Sequence, residues 1–475
     1  MKNTGLSAAA TLLSCLLLSA CTVGPDYVRP TPLEKTPAAY KELEGWKVAQ
    51  PQDARIQKGW WKIYHDPLLD SLAEQVAVSN QNVAQVEAQY RQARAMTQGA
   101  RAGYFPTVAV APSASRTKSS ANLGSSKNGG ATTSTFQLPL DATWEPDLWG
   151  RIRRTVESSE ANAQASSADL AAVTLSAQAE MVNDYLQLRI VDAQKQLLSD
   201  TVEMYRKSLE ITRNRYSSGI AAKTDVLQAE TLLKSTEAQL VDSGVQRAQL
   251  EHAIAVLLGK SPSSFSLSPV KMIAAVPEVP TGVPSELLER RADIAMAERK
   301  MAAANAQIGV AEAARYPTIQ LSAMGGLSSS ALSTLFNWPS RVWSLGAGAS
   351  ANLFDGGLRK AQSEQAVAAY DASVAAYRET VLTAFQEVED NLAALRILGE
   401  ESTLQDQAVQ AARQSAALTI NQYAAGTVAY LNVLVAQTTA LANERTALGI
   451  SGRKLTASVL LFKALGGGWD QQMLK

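Results

Sequence analysis

Between Arg151 and Ser218 the chain runs for sixty-eight residues without a glycine or a proline, in a composition rich in alanine, glutamine, leucine and glutamate. Such side chains lose little freedom in a helix, and nothing in the stretch interrupts one. At a rise of ~1.5 Å per residue this predicts a rod on the order of 100 Å long. No compact globule uses such an element. A second stretch, Leu358 to Ala425, also lacks proline and contains only Gly399. Each rod meets a glycine, Gly219 or Gly426, and a shorter helical segment follows, Ile220 to Leu258 or Thr427 to Leu465. A helix that ends on glycine and is followed at once by another turns back on itself, so both rods are expected to form hairpins.

Leu188, Val191, Leu198, Val202, Tyr205, Leu209, Thr212 and Tyr216 follow alternating three- and four-residue steps, broken at Lys195. This is the spacing of a coiled-coil seam. An amphipathic helix on a globular core shares it, but the length of the rod argues against that alternative. In the second rod the seam positions Ser402, Gln405, Ala412 and Ala416 are small or polar, which lets neighbouring helices approach closely.

The chain also repeats itself. At an offset of 207 to 211 residues, Gly103-Tyr104-Phe105-Pro106-Thr107 falls beside Ala314-Arg315-Tyr316-Pro317-Thr318, and Asn82-Val83-Ala84 beside Asp293-Ile294-Ala295. Further on, Tyr216-Ser217-Ser218-Gly219 with Asp225-Val226-Leu227 falls on Tyr423-Ala424-Ala425-Gly426 with Asn432-Val433-Leu434. Matches in the same order at nearly constant spacing mark a duplication. The copies are expected at residues 66–260 and 285–466, joined by a linker at 261–284. Before them lie a signal segment at 1–20 and an extension at 21–65, and a tail at 467–475 follows.

Each copy opens with a helix-period segment, about Asp66 to Ala102 and about Ser285 to Arg315, and a strand pair comes next. Thr107 to Ser115 alternates apolar and polar residues. Phe136, Leu138, Leu140, Ala142 and Trp144 face one way, with Gln137, Asp141 and Thr143 opposite. In copy two Ile319, Leu321 and Ala323 alternate with Thr318, Gln320 and Ser322, and Trp343, Leu345, Ala347 and Ala349 alternate with Ser344, Gly346, Gly348 and Ser350. This is the period of a lipid-facing barrel strand, or of the rim of a soluble β-sandwich. Lys118 to Ser134 and Ser328 to Ser340 read as surface loops. Tyr104, Phe105, Trp144, Trp149, Tyr316, Trp338, Trp343 and Phe354 gather at strand ends, where an aromatic belt would lie. Four strands cannot close a barrel, and an open edge in hydrocarbon leaves backbone groups unsatisfied, so further copies are required. Three would supply twelve strands. Spacing alone does not choose three over two or four.

The 44 basic residues balance 44 acidic ones without runs of like charge, which points away from a nucleic-acid partner. No stretch after the N-terminal segment reaches the ~18 apolar residues of a membrane-spanning helix. His65 and His252 lie in unrelated segments, and no metal-ligand spacing, nucleophile motif or phosphate loop occurs, so neither an enzyme nor a cofactor is expected. Lys2 and the apolar run Leu12 to Leu18 form a secretory signal. Leu18-Ser19-Ala20-Cys21 resembles the lipobox of bacterial lipoproteins, which implies cleavage before Cys21 and an N-acyl diacylglycerol anchor on it. Thr22, where an aspartate would favour inner-membrane retention, points to the outer membrane. Cys15 leaves with the signal, so no internal disulfide is expected.

Cys21-Thr22-Val23-Gly24-Pro25-Asp26-Tyr27, Trp60-Trp61 before Asp66-Pro67, and Trp144-Glu145-Pro146-Asp147-Leu148-Trp149-Gly150-Arg151 together resemble the outer-membrane efflux lipoproteins of the TolC superfamily, nearest the NodT and OprM branch. The resemblance spans nearly the whole mature chain. It implies an α+β membrane protein, a homotrimer whose twelve-stranded outer-membrane barrel continues into a helical tunnel through the periplasm. It implies three partners: outer-membrane lipid, a periplasmic adaptor protein and an inner-membrane pump of the RND type. The function that follows is the passive exit duct of a tripartite efflux pump, with a channel for type I protein secretion as the alternative. A lipid-anchored coiled-coil scaffold is a further reading, against which the amphipathic strand pairs argue.

By the same resemblance the turns at Gly219 and Gly426 are periplasmic tips that meet the adaptor. The contact residues would be Tyr216, Ser218, Gly219, Ala221 and Asp225 in copy one, and Tyr423, Ala425, Gly426, Val428 and Asn432 in copy two. Relatives often place an aspartate after the second tip to form a charged aperture. Here Val435 stands in that position, so an aperture of Leu431, Asn432 and Val435 would close by packing and dewetting instead.

Overall fold

The computed structural model describes residues 23–32, 39–42, 59–120, 122, 131–270, 277 and 290–467. The expected anchor Cys21 lies outside the described residues. Contacts divide the chain into two compact units, Met1–Pro30, Arg91–Ala165 and Ala297–Ala376 in the first, and Thr31–Tyr90, Ser166–Met296 and Tyr377–Lys475 in the second. Each unit draws on both copies of the duplication. No helix among the described residues is long and apolar enough to cross a membrane.

In chain order the elements of copy one are α1 (Pro67–Ser79), α2 (Gln81–Ala102), β1 (Thr107–Val110), β2 (Ser113–Lys118), β3 (Thr132–Trp144), α3 (Arg151–Ser217) and α4 (Lys223–Leu257). Copy two supplies α5 (Ala292–Ala313), β4 (Thr318–Ser329), β5 (Arg341–Ser350), α6 (Leu358–Ala424) and α7 (Tyr430–Ala464). The two rods are each 67 residues long and the two return helices each 35. The duplication is thus as plain in the helix lengths as in the sequence.

The helix expected over Asp66 to Ala102 is broken at Asn80, which is extended (φ −68°, ψ 125°). Its side chain supplies the reason. The amide donates to the carbonyl of Leu257 at 2.9 Å, while Oδ1 accepts from the backbone N–H groups of Asn82 and Val83 and so caps α2. Asp66 caps α1 through Leu68 N and Leu69 N. In the second unit, Trp60, Trp61, Tyr64, Leu69, Val76, Met181, Tyr185 and Phe462 build one apolar core, in which Trp60 stacks on Phe462 at 5.4 Å between ring centroids. Beside it the buried Asp192 pairs with both Arg189 and Arg247, and these two arginines donate to the carbonyls of Ser268 and Leu267 respectively. That pairing ties the start of the expected linker to α3 and α4.

In the first unit all the strands form one antiparallel sheet in the order β1-β3-β4-β5, with β2 also on β3. β1 and β2 pair with β3 in one continuous register, Val110 opposite Leu140 and Ser113 opposite Gln137. They are one row interrupted where Pro112 has no N–H to donate. The expected four strands are therefore present as four rows, the first reaching Lys118 rather than Ser115. Pro139 sits inside β3 opposite Gly326, and a methyl group on that glycine would stand 2.4 Å from the carbonyl oxygen of Leu138. Glycine is what lets the two backbones approach there.

Candidate functional site

The register of the sheet decides what its two faces carry. Val108 and Val110 lie opposite Ala142 and Leu140, and these in turn lie opposite Ala323 and Gly325. Trp144 and Leu138 meet Leu321 and Leu327, and β5 adds Ala347, Leu345 and Trp343 beside Leu321, Ala323 and Gly325. Directly opposed residues share a face, so the apolar sides of both copies merge into one surface four rows wide. The other face carries Gln137, Asp141, Thr143, Gln320, Ser322 and Ser344. Val108, Val110, Leu140, Trp343 and Leu345 are exposed, and the outer edges of β1, β2 and β5 are unpaired among the described residues.

At the helix end of the sheet, Trp144 donates its indole N–H to the carbonyl of Tyr104 at 3.0 Å, and both rings are exposed, as expected of a belt. Trp149 departs from that expectation. It is half-buried, stacks on Tyr316 at 4.9 Å and donates to the carbonyl of Pro317 at 2.7 Å, so it fastens strand ends rather than facing outward. Around it the motif found in the sequence has a mechanical role. Arg151 forks onto Glu145, and Asp147 accepts from Ile152 N and Arg153 N to cap the long helix α3. Residues 23–30 are held in the same unit. Gly24, at φ 97°, lies against Gly309 so closely that a methyl group would stand 2.5 Å from its Cα. Asp26 receives Arg154 at 2.7 Å, and the carbonyl of Pro25 receives Asn305. Asn305, Gly309 and Arg154 carried no motif of their own and were not legible as partners of the N-terminal segment.

The hairpin tips lie in the second unit. At the first, Gly219 has φ 74°; its N–H donates to Tyr216 O at 2.9 Å and that of Ile220 to Arg215 O at 2.9 Å. At the second, Gly426 has φ 81°, with Gly426 N to Tyr423 O and Thr427 N to Gln422 O, both at 3.0 Å. Both ends are Schellman closures, which use a left-handed residue to satisfy the last helical carbonyls. Ser218, Gly219, Ala425 and Gly426 are exposed, Ala221, Asp225 and Val428 half-buried. Asp225 stands in the first turn of α4, where its charge complements the helix dipole.

The two tip tyrosines, equivalent in the duplication, part company. Tyr216 is 44% exposed, with the ammonium of Lys223 over its ring at 5.6 Å. Tyr423 is 4% exposed, edge-on to Tyr430 at 5.4 Å and covered by the guanidinium of Arg215 at 4.8 Å. The expectation of an outward contact from the Tyr423 side chain is therefore corrected, because that ring is spent on packing the two hairpins together. Arg215 was missed. Its signal was present, since the duplication sets Arg215 against Gln422 in an otherwise similar turn.

On α7, Leu431 and Val435 are exposed one turn apart, with Asn432 between them, while Val433 and Gln437 point into the protein. The three expected aperture residues thus share one exposed stripe. Of the eight seam residues expected on the first rod, Leu188 through Thr212 are buried and Tyr216 alone is not.

Duplicated helical hairpins joined to a half-open sheet with one apolar face are the architecture of outer-membrane channels, and the chain belongs to the outer membrane efflux protein family, which it matches at residues 72–260 and 283–467. It is similar to the probable efflux pump outer membrane protein TtgC of Pseudomonas putida, 32% identical over 478 residues that cover 99% of this chain and 97% of that one. It is likewise 32% identical to the outer membrane protein OprJ of Pseudomonas aeruginosa over 466 residues, covering 97% and 95%. Among solved structures it resembles the outer-membrane channel OprN, with a TM-score of 0.89 and 32% identity across 94% of this chain and 100% of that one. The open-state MtrE outer membrane channel of Neisseria gonorrhoeae gives a TM-score of 0.82 at 26% identity, covering 95% and 99%.

Proposed function

We propose that this chain is the outer-membrane channel of a tripartite efflux pump, a passive exit duct for drugs or other small molecules, working as a homotrimer with a periplasmic adaptor and an inner-membrane pump of the RND type. The observation that carries this is the merged apolar face with two unpaired edges. Such a face is stable in hydrocarbon only when neighbouring copies take up the edges, and three copies of four rows make a barrel of ordinary size. The names of two Pseudomonas putida relatives, a probable efflux pump outer membrane protein and an antibiotic efflux pump outer membrane protein, support small-molecule efflux over protein secretion. In this reading the loops joining β2 to β3 and β4 to β5 face the cell surface. The exposed tip residues Tyr216, Ser218, Gly219, Ala425 and Gly426 meet the adaptor together with the half-buried Ala221, Asp225 and Val428, and Leu431, Asn432 and Val435 line the periplasmic aperture. A lipid on Cys21 tethers the N-terminal segment, and the pinning of Gly24 and Asp26 supports a fixed departure point for it.

The test is expression in a Gram-negative strain lacking its own outer-membrane efflux channel, together with the cognate adaptor and pump. The chain is expected as a heat-modifiable trimer in the outer-membrane fraction, with drug tolerance raised severalfold. A monomer in the soluble periplasmic fraction, or tolerance unchanged despite a correctly placed trimer, would overturn the assignment.

A further inference from the structure

The strands of the sheet contain only four charged residues, Arg116, Lys118, Asp141 and Arg341. Their placement is not random. Asp141 lies on the polar face, opposite Ala109 and Met324. Arg116 lies opposite Ser134 and Lys118 opposite Thr132, in step with Phe136 and Leu138, and Arg341 lies opposite Leu327. All three cations therefore stand on the apolar face, at its loop end, with no acidic strand residue on that face. All three are exposed, and none of them makes an ion pair with a described residue. The guanidinium of Arg341 lies 3.2 Å from the ring centroid of the exposed Trp338, which holds its plane at the rim of the sheet.

They also occupy opposite edges. Arg116 and Lys118 are on β2 and Arg341 is on β5, the two outer rows. When identical sheets close a barrel, the β5 edge of one copy must pair with the β1 and β2 edge of the next, about 4.8 Å away. Cations at opposite edges of one chain are thereby brought to the same seam.

We propose that each seam between protomers carries, at its loop end, a binding site for the phosphate groups of the outer-leaflet glycolipid, built from Arg116 and Lys118 of one copy and Arg341 of the next. The inference rests on the barrel reading above and extends it. A cation on a lipid-facing surface is costly at depth and tolerated near the headgroups, where its stem can reach outward. On the loop side the headgroup of choice is a phosphorylated glucosamine lipid of the lipopolysaccharide type, because guanidinium binds phosphate oxygens two at a time and a lysine adds a compact charge. Acyl chains of the same lipid would lie along Leu138, Leu345 and Trp343 below.

The experiment reconstitutes the trimer in nanodiscs that contain bisphosphorylated lipid A or its dephosphorylated form, and follows heat dissociation of the trimer and lipid retained on repurification. Wild type is expected to retain about three phosphorylated lipids per trimer and to dissociate at a higher temperature with them than with the dephosphorylated form. The variant R116Q/K118Q/R341Q should lose retention at least tenfold and behave alike in both lipids. The single variants R341Q and R116Q should weaken retention to a similar degree, since each removes one wall of a shared site. A wild-type trimer indifferent to the phosphates overturns this proposal and leaves the channel standing. A chain that forms no heat-modifiable oligomer in either lipid overturns both.

Discussion

Arg215, one residue before the first tip tyrosine, reaches across to the second tip, where its guanidinium covers the ring of Tyr423 and donates to the carbonyl of that residue at 2.8 Å and to that of Ala424 at 3.1 Å. One side chain from copy one thus caps the last turn of the long helix of copy two. The carbonyls it caps are the ones a helix leaves without partners, and a cation there also answers the negative end of the helix dipole. The contact is a clamp between hairpins.

Arg215→Ala should release that clamp. Loss of two charge-assisted hydrogen bonds and a cation–π contact removes on the order of 2 kcal/mol of coupling between the tips. Conductance of the purified channel in planar bilayers is expected to rise severalfold, and Arg215→Lys, which keeps the charge without the fork, to fall between. Unaltered conductance in Arg215→Ala would show that this contact does not restrain the tips.

Glycines at helix ends are expected to differ sharply. A methyl group at Gly219 meets nothing within 4 Å, so Gly219→Ala suffers only the left-handed backbone, about 1–2 kcal/mol, and should leave trimers in the membrane. A bulky residue there, such as Trp, should lower drug tolerance severalfold without loss of trimer. At Gly466, φ 93°, the added carbon would stand 2.3 Å from the carbonyl oxygen of Arg290, so Gly466→Ala should cut the yield of folded protein. Drug susceptibility and outer-membrane abundance, measured side by side, separate the two cases.

Val435→Asp should place carboxylates on the exposed stripe with Leu431. If that stripe lines the aperture, cation over anion selectivity in planar bilayers should rise several-fold and fall again as pH drops below the ordinary carboxylate range. A selectivity equal to that of the wild type counts against any aperture role.

Asp184 on α3 is held above its ordinary range, to about 6, first by burial and then by the nearby Glu180 carboxylate. The sign follows directly. The folded chain favours the neutral acid, so the stability linked to this group is complete below the unfolded value near 4 and is lost as pH rises through about 6. Asp184→Asn should be more stable than wild type at pH 7.5 by on the order of 2 kcal/mol, and equal to it near pH 4. Thermal unfolding at the two pH values checks this, and an equal gain at both would remove titration as the cause.

Much of the molecule is legible without coordinates because the signals are local. Sixty-seven-residue helices need only an unbroken run of helix formers, and a Schellman turn needs only a glycine where φ must be positive. Alternation along Phe136 to Trp144 predicts a one-sided strand, and the recurrence of Tyr-x-x-Gly at a constant interval predicts two copies of a hairpin. The seam residues from Leu188 to Thr212 were likewise readable, since helical period and burial agree wherever a long helix packs along its whole length.

What the sequence determined by itself is therefore the set of parts: two rods, two returns, four one-sided rows and the turns between them, each specified by periodicity over neighbouring residues. Tertiary structure alone decided how equivalent parts diverge. Tyr216 and Tyr423 carry the same local signal, yet Arg215 and Tyr430 bury one and leave the other outside, because burial depends on what arrives from elsewhere in the chain. In the same way only the pairing of Leu138 with Leu327 and of Leu327 with Arg341 brings the apolar sides of both copies onto one face and sets its cations at the two edges. Register between strands nearly two hundred residues apart is a long-range contact, and no local period contains it.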